Sequence, residues 1–265
     1  MMRIILAILM ITGVAVKADT MRLAATTSFK NSGLSDALLP AFKVDTGINV
    51  QLLVVGTGQA IRLGQAGDVD AILVHSKAAE EAFVSADFGT HRREIMYNDF
   101  VLIGPSADPS RIKDAESAIG ALQLIANTEM TFVSRGDDSG THKKELMLWS
   151  VAELYPDFFG TWYKAVGAGM GASLNSASGL DAYIMADRAS WLNFGNKGKL
   201  ELLYSGDPML FNQYAYIPVN SDKHVHVNAD TAQRLEQWLL SARAKNIINN
   251  YKINGEALFI FNGAP

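Results

Sequence analysis

Apolar residues recur along this chain in two alternating rhythms. Arg22-Leu23-Ala24-Ala25 is short and apolar enough for a first strand, and the polar stretch 26–33 after it reads as a turn. Leu34, Leu38, Leu39 and Phe42 then fall at three- and four-residue spacings, the helical period, and Gly47 closes that helix. The rhythm repeats with a strand at 48–55, a turn at Gly56-Thr57-Gly58, a helix at 59–65, a strand at 69–74 and a helix at 77–83. Further strands are expected at 100–103, 131–133, 183–185, 200–204 and 214–219. A helix is expected over 141–155, stopped by Pro156, and a last one over 231–244, where Leu235, Trp238, Leu239 and Ala242 share a face. Strand-turn-helix alternation implies an α/β protein with a parallel sheet, whose loops gather at the carboxyl edge where such folds place ligands. The simplest arrangement is two α/β lobes joined by two crossing strands, one lobe from residues 19–102 and 213–265, the other from 103–212.

The N-terminus stands outside this rhythm. Met1-Met2-Arg3 is a short basic start, 4–16 is apolar except for Thr12 and Gly13, and Val16-Lys17-Ala18 offers small residues to a signal peptidase. The apolar run is shorter than the roughly 20 residues a membrane span needs. A signal peptide over 1–18, cut after Ala18, is therefore expected. The 265 residues contain no Cys, which excludes disulfides, thiolate metal sites, a Cys nucleophile and a lipid-modified Cys. With no Cys to anchor it to lipid, an exported chain stays near its cell only behind a second membrane, which favours a periplasm. The formal charge of -4 is the wrong sign for a nucleic-acid binder.

Three of the strand-to-helix turns carry one chemistry: Thr26-Thr27-Ser28, Gly56-Thr57-Gly58 and Ser139-Gly140-Thr141. Each brings hydroxyls and unpaired N–H groups to a helix start, where the macrodipole favours negative charge. Any one of them could be an ordinary helix cap. Together with Arg135, in Ser134-Arg135-Gly136-Asp137-Asp138, they point to an anion site. Arg135 offers a planar fork to two oxygens; its alternative is a structural pair with Asp137 or Asp138. Arg188 is a second cation for the ligand or a partner of its neighbour Asp187.

Thr26-Thr27-Ser28 with Asn31-Ser32-Gly33-Leu34, Gly56-Thr57-Gly58-Gln59-Ala60, Gly67-Asp68-Val69-Asp70 with His75-Ser76, and Met96-Tyr97-Asn98-Asp99-Phe100 follow one another along the chain. Ser134 to Glu145, with Trp149 beyond, is the most specific block. In these stretches the chain resembles the tungstate-binding proteins of ABC importers, the TupA family, from about Ala25 to Tyr216. The resemblance implies a type II periplasmic-binding fold, two α/β lobes closing on tungstate or molybdate, and delivery to an ABC permease with a cytoplasmic ATPase. It implies ligand donors at Thr27, Ser28, Thr57, Gly58, Arg135, Ser139, Gly140 and Thr141, with no cofactor and no metal site. It also implies a periplasmic monomer with no nucleic-acid partner. Ala168, where relatives are expected to carry Gln, and Ala186-Asp187-Arg188-Ala189-Ser190-Trp191 depart from the pattern.

The rival within the same fold is a phosphate or sulfate binder. Phosphate keeps a proton at neutral pH and needs an acceptor; the expected acidic position falls near Ser76, which is not acidic, so a donor-only site is expected. A more distant rival is a secreted hydrolase using Ser139, His142 and Asp138, but the Gly-x-Ser-x-Gly elbow is missing. His224 and His226 share a face without a third metal ligand near them. The four Trp fall within helical patterns and are expected in the core.

Overall fold

The computed structural model describes residues 19–137 and 139–264; the leader assigned to 1–18, and Asp138, lie outside the described residues. The first half of the chain runs β1 (Thr20–Thr26), α1 (Thr27–Asn31), α2 (Leu34–Thr46), β2 (Asn49–Val55), α3 (Thr57–Ala66), β3 (Ala71–Val74), α4 (Lys77–Ser85) and β4 (Arg93–Pro105). Next come α5 (Ala118–Thr128), β5 (Phe132–Ser134), α6 (Gly140–Val151), β6 (Tyr163–Ala165), α7 (Met170–Leu180), β7 (Tyr183–Asp187), α8 (Arg188–Asn193), β8 (Leu200–Tyr204) and β9 (Phe211–Pro218). The chain closes with α9 (Ala229–Leu239), α10 (Ala242–Asn250), β10 (Lys252–Ile253), β11 (Glu256–Ala257) and β12 (Ile260–Phe261). Among the described residues no helix is long and apolar enough to cross a membrane.

The sheet is mixed, which corrects the expectation of an all-parallel one. Its strand order is β2-β1-β3-β9-β4-β7-β5-β6, with β8 and β12 also pairing β4. β1 pairs parallel with β2 and β3, and β5 with β6 and β7, but β9 is antiparallel to both β3 and β4. β4 belongs to both halves: Arg93 to Asp99 pair with β9, and Phe100 to Ile103 pair with β7. Only its middle, 100–103, reads as a strand in the sequence. The polar residues that hide its start are satisfied at long range, Asn98 by the amide of Asn212 at 2.8 Å and Asp99 by Arg188.

Successive strand residues point to opposite faces, and both faces are buried. In the first half Met21, Leu23, Ala25, Tyr214 and Tyr216 join one core cluster, and Ala24, Ile72, Val74 and Ile217 the other. In the second half Phe100, Leu102, Phe132 and Met185 face one cluster, and Val101, Ile103, Val133 and Ile184 the opposite one. All four Trp are buried in or against helices or cores. Burying such side chains contributes roughly 1.5–3 kcal/mol each. The C-terminal helices return to the first half: Leu235, Trp238, Ala244 and Ile248 pack with Phe42 and Leu38, and the Trp238 indole N–H donates to Asp45 at 2.8 Å.

Four of the departures from the expected helices have a local reason. The supposed turn at 26–33 contains α1, because the Thr26 hydroxyl accepts from Phe29 N–H and the Phe29 ring is buried. α3 begins at Thr57 because extended Gly56 (φ -76°) takes the cap position. α6 stops at Val151, ahead of Pro156, where Glu153 adopts a left-handed conformation (φ 60°). The last helix is two, since Ser241 leaves the helix and caps α10 by accepting from Ala244 N–H at 3.2 Å.

One buried ion pair holds the loop after β3. Glu80, fully buried in the first turn of α4, accepts from Arg92 Nε at 2.6 Å and from the backbone N–H of Ser76. Arg92 also reaches Glu94 at 2.7 Å. Removing one partner of such a pair strands the other. Arg92→Ala is expected to lower unfolding stability by about 3–5 kcal/mol, measured by urea denaturation; a loss below about 1 kcal/mol, the value of a surface pair, would show that Glu80 is otherwise solvated.

Candidate functional site

The loops that follow β1, β2, β3 and β5 converge with the starts of α7 and α8 on a cavity of about 570 Å³. Thr27, Ser28, Thr57, Arg135, Ser139, Gly140 and Thr141 all line it; Gly58, one residue further into α3, does not. The cavity lies between the two halves of the sheet, with donors from each. Their contact is close at one point: a Cβ on Gly140 would lie 2.5 Å from Cε1 of His75, so only glycine fits there beside the ring.

Helix starts explain why the cavity suits an anion. The N-caps of α3 and α7, Gly56 and Gly169, are extended and offer no side chain to the first N–H groups. Those groups, with the positive end of the helix dipole, face the cavity lining at Thr57 and at Met170, Gly171 and Ala172. α6 differs, because Ser139 Oγ accepts from His142 N–H at 3.1 Å and so covers one of its free donors.

Arg135 supplies the charge. Its Nη2 binds Asp137 at 2.6 Å, while its buried Nε has no hydrogen-bond partner. The structural pair considered as one alternative is formed, and it leaves the Nε edge of the guanidinium without a partner at the cavity. Asp137 is itself held by the Ser139 hydroxyl; burial pushes its carboxyl up, but Ser139 and Arg135 outweigh this and hold it below the usual range. Thr57 Oγ1 and His75 Nδ1 are likewise buried without partners. Three unsatisfied polar atoms around one cavity mark a place built for a polar guest, since leaving such a group unpaired costs about 1–3 kcal/mol.

Two titratable lining residues escaped the site predicted from sequence. His75 ends β3, with Nε2 3.1 Å from Ser28 Oγ and its ring 4.9 Å from that of Tyr214. Burial, with the charge of Arg135 beside it, brings the imidazole down to about 4. Asp187 ends β7 and caps α8 by accepting from Ser190 N–H at 2.8 Å. Burial pushes its carboxyl up. The expectation of a cavity without an acidic residue is therefore corrected: the acid is absent at Ser76 but arrives from β7, across the sheet. Asp187 does not pair with Arg188 either, whose Nε binds Asp99 at 2.7 Å and whose side chain lies outside the lining.

The hydrolase arrangement is not formed. The His142 ring lies 3.1 Å from the hydroxyl of Ser134, whereas the Ser139 hydroxyl donates to Asp137, so no Ser139–His142 side-chain pair exists. His226 Nε2 lies 2.9 Å from the carbonyl oxygen of Gly67, and among the described residues no group of three metal-ligating side chains occurs.

A family model for the PBP superfamily domain matches residues 14–243. The chain is 46% identical to the tungstate-binding protein TupA of Peptoclostridium acidaminophilum, over 91% of this chain and 85% of that one. Among solved structures, the tungstate-binding protein TupA from Desulfovibrio alaskensis G20 superposes with a TM-score of 0.87 at 43% identity, covering 93% of this chain and 100% of that one. The tungstate ABC transporter structure from Geobacter sulfurreducens gives a TM-score of 0.79 at 42% identity, over 88% and 98% of the two chains.

The close approach of His75 to Gly140 yields a test of the cleft geometry. In Gly140→Ala the new methyl must displace the ring or part the two halves, at about 1–3 kcal/mol if the halves stay closed. A larger radius of gyration by small-angle X-ray scattering is expected, with unchanged secondary structure. A variant as compact as the parent and equally stable would show that the contact is soft.

Proposed function

This chain belongs to the PBP superfamily and within it to the TupA family, and on that premise we propose that it is the solute-binding component of an ABC importer that captures tungstate, or molybdate, in the periplasm. It binds the oxyanion reversibly, does no chemistry on it, needs no cofactor, and hands it as a monomer to a permease driven by a cytoplasmic ATPase. The leader over 1–18 would export it, and cleavage after Ala18 would release it. The observation that carries this reading is the set of buried, unpartnered polar atoms of Thr57, His75 and Arg135 around one cavity.

The lobes of this reading are residues 19–102 with 213–265, and 103–212. The change of β4 partner between Asp99 and Phe100 supports a boundary where the strand passes from one half to the other. Thr27, Ser28, Thr57 and Gly58 would serve the anion from the first lobe, and Arg135, Ser139, Gly140 and Thr141 from the second. A tetrahedral dianion suits such a cleft, because its four oxygens accept in four directions and neutral donors from both lobes can each take one. Binding then draws the lobes together.

Asp187 favours a second reading, phosphate capture. Its buried carboxylate could accept from an oxyanion that still carries a proton. Competition distinguishes the two: millimolar phosphate is expected not to displace tungstate, and displacement would move the chain to the phosphate branch.

Two further outcomes test the binding reading. Tungstate at a thousandfold excess over its dissociation constant adds about 4 kcal/mol of stability, or roughly 10 °C in melting temperature at about 2–4 °C per kcal/mol; no shift with any oxyanion would refute it. In calorimetric titrations Arg135→Ala is expected to lose about 2–5 kcal/mol of tungstate affinity and Thr57→Ala about 1–3 kcal/mol. Equal losses would show that the Arg135 charge is not the dominant contact.

A further inference from the structure

His75 is the residue of the cavity whose chemistry the donor set leaves unexplained. It lies in the first half of the sheet yet touches the second, at Gly140, where its Nδ1 and Cε1 edge faces the glycine at 2.9 and 2.5 Å from the position a Cβ would take. Its other nitrogen, Nε2, is occupied by Ser28 Oγ at 3.1 Å. That hydroxyl is the centre of a small network, 2.8 Å from Tyr214 OH and 3.0 Å from Thr26 Oγ1.

The proton count leaves this network two directions. Tyr214 is fully buried and burial pushes its phenol up, so it keeps a hydrogen, and in one of the two directions open to this pair it gives that hydrogen to Ser28 Oγ. Ser28 then accepts from Tyr214 and has one hydrogen of its own to give. If it gives that hydrogen to His75 Nε2, the neutral ring must carry its proton on Nδ1, the buried atom without a partner. The opposite tautomer would turn a lone pair of Nδ1 toward the cavity, where it would repel the oxygens of an anion. A bare dianion therefore selects the arrangement Tyr214 to Ser28 to His75 to ligand, each hydroxyl or N–H donating onward, and such chains strengthen one another.

Resting on the tungstate-binding reading, we propose that His75 is a ligand-contacting, selectivity-determining residue that donates a hydrogen bond from Nδ1–H to a fully deprotonated oxyanion across the closed cleft. Ser28 and Tyr214 hold the ring in the donating tautomer, and Ser28 serves the ligand through its backbone N–H, with its hydroxyl turned to His75. Without a ligand the ring is neutral through the physiological range, because burial and the nearby Arg135 charge bring it down to about 4. It thus offers a donor without adding charge, and it offers no acceptor to a protonated rival.

His75→Asn keeps an N–H near the Nδ1 position, and His75→Phe keeps the ring volume without it. Tungstate affinity is expected to fall about ten- to a hundredfold in H75F and to stay within about threefold of the parent in H75N, with ligand-free melting temperatures recorded for both. In ¹⁵N-histidine spectra of the full chain, whose His75 signals are assigned by their loss in H75N, tungstate is expected to bring out a protonated Nδ1 that does not titrate between about pH 6 and 8. Unchanged tungstate affinity in H75F, or a bound-state Nδ1 without a proton, would overturn the proposal while leaving the transport reading intact. A parent chain that binds no tungstate would bring down both.

Discussion

The Arg135–Asp137 ion pair is the interaction on which the cleft depends. A guanidinium this enclosed needs a partner, and a carboxylate that gripped it through Nε and Nη2 would take the edge that faces the cavity. Asp137 instead takes Nη2 alone, and the Ser139 hydroxyl holds Asp137 in turn. The cation is oriented from behind while Nε remains unpartnered. The same Ser139 oxygen caps α6 by accepting from His142 N–H, so the orientation of the charge and the start of the helix are set by one side chain. Behind it, Ser134 accepts from Gly136 N–H at 3.2 Å and donates to buried Glu145 at 2.8 Å, which ties the turn to the middle of α6. Glu145 also receives the Trp149 indole and the Tyr163 hydroxyl, so the core of the second half fixes the floor of the site.

Much of this was legible because it is local. The block from Ser134 to Glu145 carries the arginine, its orienting acid and the cap within a dozen positions, and of the eight donors that the resemblance to a known family implies, seven line the cavity. The helices that follow β1, β2 and β5 announce themselves by hydroxyls and glycines at their starts. What stayed hidden depends on contacts far apart in the chain. β4 is thirteen residues long, but Asn98 and Asp99 break its apolar run, and only Asn212 and Arg188 reveal why polar residues are tolerated there. His75 and Asp187 end two strands without any local signal of function; each becomes part of the cavity only because the sheet brings β3 and β7 to face β5. The break between α9 and α10 was missed for the opposite reason, since the apolar face continues across it while Ser241 stops the backbone.

The charge balance of the cavity shapes how such a site can discriminate. Of the described charged side chains at the cavity, Arg135 is offset by Asp137, and Asp187 adds a second carboxyl whose burial favours its neutral form. The chain as a whole is negative. Neither the local nor the overall field therefore draws anions in from a distance, as a basic groove would. Affinity has to come at short range, from the unpartnered Nε–H of Arg135 and from N–H and O–H dipoles already held in place by helix starts and by the Tyr214–Ser28–His75 network. A fixed dipole weakens steeply when its acceptor moves or when its angle opens, whereas a net positive charge attracts any anion of the same valence. A cleft whose one lining cation is already offset by Asp137 consequently ranks oxyanions by the positions of their oxygens and by the protons they carry.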